Sequence, residues 1–297
     1  MPRTAANGIE IEYETFGRSS DPALLLVMGF TAQLISWDEG FCQALADRGF
    51  YVIRFDNRDT GLTTKLDGVE VDLAALMAAR ADNGPVPDVP YTLSDMSDDG
   101  FGLLRALGIE AAHIVGASMG GMIVQTMAIE HPERVLTMTS IMSTTGEPDY
   151  MKSDPAAMQA LLTPPPTERG AYIDNAATSW KLFASPRYYD EDKTRDRAAR
   201  SYDRAFYPEG ALRQMGAITA SGSRADGLRK LRIPTLVVHG RADTLILPIG
   251  GERTAELVPA ANLLLCNDMG HDLPEPLWPL ITDTIASHAR NAIGGPV

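Results

Sequence analysis

Residues 113–135 read HIVGASMGGMIVQTMAIEHPERV. A β-like apolar run stops at Ser118, and a helix-like run begins directly after it. The centre, Gly116-Ala117-Ser118-Met119-Gly120, is a G-x-S-x-G pattern. A residue in so tight a strand-to-helix turn is forced into strained backbone angles. Side chains at Gly116 and Gly120 would collide with the strand and the helix. The turn pushes the serine hydroxyl clear of the backbone. The N–H groups that follow point forward from a helix N-terminus, where developing negative charge is favoured. The pattern alone recurs by chance, but between this strand and this helix it specifies an exposed nucleophile at Ser118.

The flanking sequence supplies the sheet that such a turn needs. "GIEIEYETF" (8–16) alternates apolar and polar residues with the period of a half-exposed strand. "ALLLVMG" (23–29) is continuously apolar, as suits a strand buried on both faces. Helical spacing over 37–49 comes from Trp37, Phe41, Leu45 and Ala46, with Gly49 as terminator. "FYVIRFD" (50–56) reads as a strand, and 57–90 as irregular. Thr92 is the expected N-cap of a helix with Asp95 in its first turn and Leu103, Leu104 and Leu107 on its buried stripe. "AAHIVGA" and "VLTMTSIMS" are strands on either side of the helix after Ser118. From about 146 to 230 the alternation breaks into helix-like, charged pieces that include Pro164-Pro165-Pro166. It resumes with "PTLVVHG", a helix near "GGERTAELV", the strand "ANLLLCN" and a last helix over about 276–292. Strand–helix alternation predicts a parallel α/β sheet. The expected organisation is a core over 1–145 and 231–297, with a helical cap over 146–230.

A chain of 297 residues has ample length for a buried core, and its net charge of −13 argues against a nucleic-acid partner. Cys42 and Cys266 sit in apolar runs and read as reduced core residues. No apolar stretch at the start resembles a secretory signal, and no run approaches the ~18 residues of a membrane span. The expectation is a soluble, cytoplasmic protein. The sequence does not indicate its oligomeric state.

A serine nucleophile needs a base, and there are five histidines to choose from. His113 lies early in its strand, His131 at the far end of the helix that follows Ser118, and His288 in the terminal helix. His239 ends "TLVVHG" and is a rival near the right sheet edge. His271, in the loop "NDMGHDLP" after the last strand, is favoured because a loop lets the imidazole swing over the strand ends. The histidine needs a carboxylate to fix its tautomer. Asp243 in "HGRADTLI", 28 residues before His271, is favoured, with turn-capping as its structural alternative. Asp268 and Asp272 remain alternative acids, although their closeness in sequence to His271 makes the geometry awkward. The oxyanion donors expected are the backbone N–H of Met119 and that of Phe30 in "VMGF", where Gly29 permits close approach. Both residues could equally serve packing.

"VMGF", "RFDNRDTG", "GASMGG" with "HPERV", and "HGRAD…GH" together resemble the α/β-hydrolase family over nearly the whole chain. They are most similar to its bacterial aclacinomycin methylesterases and lipase/esterase-like carboxylesterases. The resemblance implies an α/β-hydrolase fold: a mostly parallel central sheet flanked by helices, with the cap inserted after the sixth strand. It carries Ser118, Asp243 and His271 over as a triad and Phe30 and Met119 as oxyanion donors. Met28 stands where the family more often has histidine, and Asp56 and Arg58 match a family turn read as structural. The expected function is a serine carboxylic-ester hydrolase acting through an acyl-enzyme on a small to medium apolar ester, with no cofactor and no metal. A cofactor-free perhydrolase, a thioesterase, an acyltransferase and a carbon–carbon bond hydrolase would use the same triad. A non-catalytic ligand-binding homologue is the alternative of a different class. The cap aromatics Tyr172, Trp180, Phe183, Tyr188, Tyr189, Tyr202, Phe206 and Tyr207 are candidates for a pocket lining, or for packing the cap onto the core.

Overall fold

The computed structural model describes residues 2–82 and 84–293. Met1, Asn83 and 294–297, which the sequence reading assigns to the two core segments, lie outside the described residues. In chain order the elements are β1 (Arg3–Ala6), β2 (Ile9–Phe16), β3 (Ala23–Val27), α1 (Glu39–Ala46), β4 (Tyr51–Phe55), α2 (Leu73–Ala81), α3 (Leu93–Ala106), β5 (Ala112–Ala117), α4 (Met119–Glu130) and β6 (Val135–Ile141). Five helices follow without a strand: α5 (Pro155–Leu162), α6 (Arg169–Phe183), α7 (Glu191–Arg204), α8 (Gly210–Ser221) and α9 (Ala225–Leu228). Then come β7 (Thr235–Gly240), α10 (Ile249–Leu257), β8 (Asn262–Cys266) and α11 (Trp278–Ile293).

The strands form one eight-stranded sheet in the order β1-β2-β4-β3-β5-β6-β7-β8. β1 and β2 pair antiparallel, as do β2 and β4; every later pair is parallel. β3 and β5 are buried along their whole length. Side chains alternate across a strand, so β3 feeds two cores. Leu25 and Val27 join Phe101, Leu104, Ile123 and Met127 of α3 and α4. Leu24 and Leu26 join Phe41, Leu45, Ile281 and Ile285 of α1 and α11. Each such side chain contributes roughly 1.5–3 kcal/mol by leaving water, so a central strand covered on both faces fixes its neighbours firmly. Because β3, β5, β6, β7 and β8 run parallel, the loops after them all emerge at one edge.

Three local expectations change. The helix read over 37–49 is shorter. Asp38 accepts from the Gly40 N–H and starts α1 at Glu39, while the Trp37 carbonyl accepts from the buried Arg54 guanidinium. The segment 57–90 is not wholly irregular. It contains α2, an alanine-rich helix with only Leu76 buried, so no apolar stripe announces it. The first residues form β1, whose register against β2 comes from backbone pairing rather than from apolar periodicity. Thr92 does cap α3, in a reciprocal capping box with Asp95.

The helices between β6 and β7 are tied to the loops at the carboxyl edge. The Phe183 carbonyl accepts from the His271 N–H at 2.6 Å, and the Leu182 carbonyl accepts from the Thr244 hydroxyl at 2.7 Å. Gln33 donates to the carbonyls of Ser201 (2.7 Å) and Ala205 (2.9 Å), at the end of α7. Arg213 on α8 holds Asp59 through two contacts of 2.8 and 3.0 Å, both side chains being buried.

Candidate active site

Ser118 sits between β5 and α4 at φ +57°, ψ −122°. A non-glycine residue in that region costs on the order of 1–3 kcal/mol and persists only where the surroundings impose it. Here they do. A Cβ at Gly116 would stand 2.0 Å from the Gly120 carbonyl oxygen, and one at Gly120 would stand 2.0 Å from the Val27 carbonyl oxygen. The Ser118 N–H donates to the Ile141 carbonyl at 2.9 Å, and the Ser118 carbonyl accepts from the Ser143 hydroxyl at 2.8 Å. The strained residue is thereby held by β6 and the loop beyond it. Its side chain remains half-buried at the carboxyl edge.

Asp243 and His271 meet at the same edge, 2.8 Å apart between Oδ2 and Nδ1. The other carboxylate oxygen, Oδ1, accepts from the N–H groups of Leu245 and Ile246, both at 2.9 Å. Burial pushes the Asp243 carboxyl up, but the charge of His271 and the hydrogen bonds from His239 and His271 outweigh it and hold the group down at about 2. The carboxylate is therefore an acceptor only, so His271 Nδ1 carries the hydrogen and Nε2 keeps its lone pair. Among the described residues neither Ser118 Oγ nor His271 Nε2 has a hydrogen-bond partner. In unliganded sites such contacts are often long and tighten when substrate binds.

The other candidates are engaged elsewhere. Asp268 pairs with Arg187 at 2.9 Å in an exposed position. Asp272 accepts from the Ser185 N–H and hydroxyl, and the same hydroxyl accepts from the Gly270 N–H at 2.9 Å. His239 is fully buried. Its Nε2 lies 2.9 Å from the Ile246 carbonyl and 3.3 Å from Asp243 Oδ2. Both partners are acceptors, so Nε2 bears the hydrogen, and the lone pair on Nδ1 is buried against Gly251, where an added Cβ would stand 2.4 Å from it. Cys42 and Cys266 are free and buried, and burial pushes the Cys42 thiol up to about 12, so it is no rival nucleophile.

The loop after β3 lies against the serine. A Cβ at Gly29 would stand 3.0 Å from Ser118 Cβ and 3.1 Å from the Ala117 carbonyl oxygen. The Phe30 N–H has no acceptor among the described residues, and Met119, as the first residue of α4, has an N–H with no acceptor inside the helix. Both can face an oxyanion beside Ser118. Three features of this region left no trace in residue spacing. Asn57 donates to the Met28 carbonyl at 2.8 Å, Asp56 accepts from the Leu34 N–H at 2.7 Å, and Gln214 accepts from the Thr31 N–H at 2.8 Å. Asp56 and Arg58, read as structural from sequence, do brace the fold: Arg58 pairs with Asp99 at 2.6 Å.

A strained strand–serine–helix turn, an Asp–His pair and the loop after β3 thus share one edge of a mostly parallel sheet. The alpha/beta hydrolase fold family matches residues 22–275. The chain is an α/β hydrolase. Rhodomycin D methylesterase DauP of Streptomyces sp. (strain C5) is 27% identical to it over 94% of each chain. 2-Hydroxymuconate semialdehyde hydrolase of Pseudomonas putida is 29% identical over 62% of this chain and 64% of that protein. The meta-cleavage product hydrolase CumD from Pseudomonas fluorescens IP01 superposes with a TM-score of 0.79 at 21% identity, covering 98% of each chain, and so shares the fold. By its family and relatives this α/β hydrolase is an enzyme of the esterase-type hydrolase class. Among its described residues no group of three or more His, Cys, Asp or Glu is arranged to hold a metal ion, and no helix is long and apolar enough to cross a membrane.

Most of the aromatics between β6 and β7 in this hydrolase are engaged with one another or with polar neighbours. Tyr172, Tyr202 and Phe206 form a cluster with ring centroids 4.8 to 5.6 Å apart. Tyr189 donates to the Ala177 carbonyl and Tyr207 to Asp67, both at 2.7 Å. Tyr188 lies beneath the Arg187 guanidinium. Trp180 and Phe183 are different. They pack together at 5.0 Å and against Leu245, two residues from Asp243.

Proposed function

We propose that this hydrolase cleaves carboxylic esters through a covalent acyl-enzyme on Ser118. The observation that carries this reading is the strained Ser118 turn at the same sheet edge as the Asp243 carboxylate and its His271 partner. Ser118 Oγ attacks the ester carbonyl while His271 Nε2 takes its proton. The tetrahedral oxyanion rests on the N–H groups of Phe30 and Met119. The imidazolium, stabilised by Asp243, returns the proton to the leaving alkoxide, so the alcohol departs and the acyl group stays on Ser118. Water, deprotonated by His271, then releases the carboxylic acid and restores the serine.

The substrate we favour is a small to medium apolar ester, presented from solution in the cytoplasm; the net charge of −13 disfavours nucleic acid as a partner. Methyl esters come first among those to assay, because relatives such as DauP are methylesterases. A second reading, hydrolysis of a carbon–carbon bond on the same serine, is favoured by the likeness to 2-hydroxymuconate semialdehyde hydrolase. Rapid-mixing kinetics with p-nitrophenyl esters tests the primary reading. A burst of p-nitrophenol stoichiometric with enzyme, absent in Ser118→Ala, is expected. Turnover of vinylogous diketones with no turnover of any ester would favour the second reading instead.

A further inference from the structure

The loop that supplies the Phe30 N–H does not hold its own shape. Thr31, the next residue, sits at φ +56°, a left-handed conformation that a β-branched residue adopts only under constraint. Its N–H is taken by a side chain 183 residues away, Gln214 Oε1, at 2.8 Å. Gln214 is fully buried on α8, and its amide cannot be turned around. Nε2 donates to the Arg58 carbonyl at 3.0 Å and the Thr60 hydroxyl at 2.7 Å, and a carbonyl only accepts. The adjacent Arg213 locks the helix in place through its paired contacts with Asp59. α8 also passes so close that a Cβ at Gly210 would stand 2.2 Å from the Asp59 carbonyl oxygen. The loop's other groups are tied as well: the Met28 carbonyl by Asn57, the Leu34 N–H by Asp56, and the Gln33 amide by the end of α7. The Phe30 N–H, beside them, has no acceptor among the described residues.

We infer that Gln214 is a positioning residue of the oxyanion hole: by accepting the Thr31 N–H it holds Thr31 left-handed and keeps the Phe30 N–H directed at the site beside Ser118. This rests on the reading of Ser118 as nucleophile and Phe30 as oxyanion donor. α8 lies between β6 and β7, so a helix outside the sheet completes a site whose reactive groups lie on the sheet edge. Without Gln214 the Thr31 N–H loses its side-chain acceptor, Thr31 relaxes towards negative φ, and the Phe30 peptide moves with it. Ground-state binding is not expected to depend on this donor, because it meets full negative charge only in the tetrahedral state.

Gln214→Met, close in volume but without either polar contact, tests this. In the full-length enzyme, kcat for p-nitrophenyl esters should fall roughly 10- to 100-fold, less than the ~10²–10³ for outright removal of such a donor, with KM within about twofold. Inhibition by a trifluoromethyl ketone, which adds Ser118 Oγ to its carbonyl and leaves an oxyanion, should weaken by the same factor. Inhibition by the matching carbinol, which cannot form that oxyanion, should not change. Thr31→Gly in the same background should recover part of kcat, since glycine holds positive φ without an anchor. A folded Gln214→Met enzyme with kcat and ketone affinity near wild type would overturn the inference, as would equal weakening of ketone and carbinol. If Gln214→Met does not fold, Gln214→Asn, too short to span Thr31 and Arg58, should show the same split, and wild-type kcat in it would be equally contrary. Failure of the wild-type enzyme to bind the ketone more tightly than the carbinol would instead strike the nucleophile reading, and the inference with it.

Discussion

At the scale of single residues, the Ser118 turn and the Asp243–His271 contact differ in how much they owe to local chain. The turn follows from five consecutive residues, and the same clashes that forbid side chains at Gly116 and Gly120 are legible as a spacing. The carboxylate's full set of donors is not. Asp243 Oδ2 accepts from His271 at 2.8 Å and lies 3.3 Å from His239 Nε2, and nothing in "TLVVHG" distinguishes a rival base from a neighbour of the acid. His239→Leu removes that neighbour from the acid and leaves the proposed base in place. kcat/KM for p-nitrophenyl esters at one fixed pH should therefore fall less than in His271→Ala, which removes the base itself. Steady-state kinetics of the two variants checks this; an equal or larger loss in His239→Leu would contradict the assignment of base and neighbour. Gln214 was illegible for a related reason: its partner Thr31 is 183 positions distant, and a buried glutamine in a helix carries no pattern of its own.

At the scale of elements, the strands and helices with a strong apolar stripe could be read directly, and those stabilised by other means could not. β3 and β5 announce themselves as buried runs. α2, with one buried side chain, and β1, paired through its backbone, do not. The helices between β6 and β7 present the sharper question, because their aromatic content suggests a pocket lining while three of the rings pack on each other and three more are engaged by a carbonyl, a carboxylate or a guanidinium. Trp180 and Phe183 on α6 are the exceptions worth testing. They reach Leu245 beside the acid, and the Phe183 carbonyl holds the His271 N–H. Phe183→Ala removes a buried ring next to the site without altering that carbonyl. Relative kcat/KM should shift towards bulkier esters, by roughly 10-fold or more, since each missing methylene is worth ~1–3 kcal/mol in a pocket. A chain-length panel of p-nitrophenyl esters measures it. Wild-type ranking combined with a lowered melting temperature would assign the ring to packing alone.

At the scale of the whole molecule, acid stability should depend on a pair of imidazoles at the opposite, amino-terminal side of the sheet. His113 on β5 contacts Thr137 through Nδ1 at 2.9 Å, and its Nε2 and that of His288 on α11 are buried with no hydrogen-bond partner for either atom among the described residues. Burial, followed by the proximity of His288, pushes His113 down to about 4; burial also lowers His288. The folded protein therefore binds fewer protons than the unfolded chain between the ordinary histidine value of about 6.5 and about 4. The stability this represents is fully present above pH 6.5 and is lost as the pH falls towards 4, roughly 2–3 kcal/mol for His113. Urea denaturation at intervals across that range should show the decline, and His113→Leu should flatten it. An identical slope in the variant would contradict the assignment. The fold at this scale was open to reading because strand–helix alternation is a global pattern, whereas which buried histidine titrates depends on packing between β5 and α11 that no local pattern records.

The proposed mechanism depends on covalent chemistry at Ser118. Its most direct test is labelling of the wild-type enzyme with a fluorophosphonate, followed by mass analysis of peptides, with Ser118→Ala alongside. The expected result is one label per chain on the peptide containing Ser118, none in the variant, and ester turnover lowered by roughly 10⁴-fold or more in that variant. No label on the wild-type enzyme, or an equal label and near-wild-type turnover in Ser118→Ala, would contradict it.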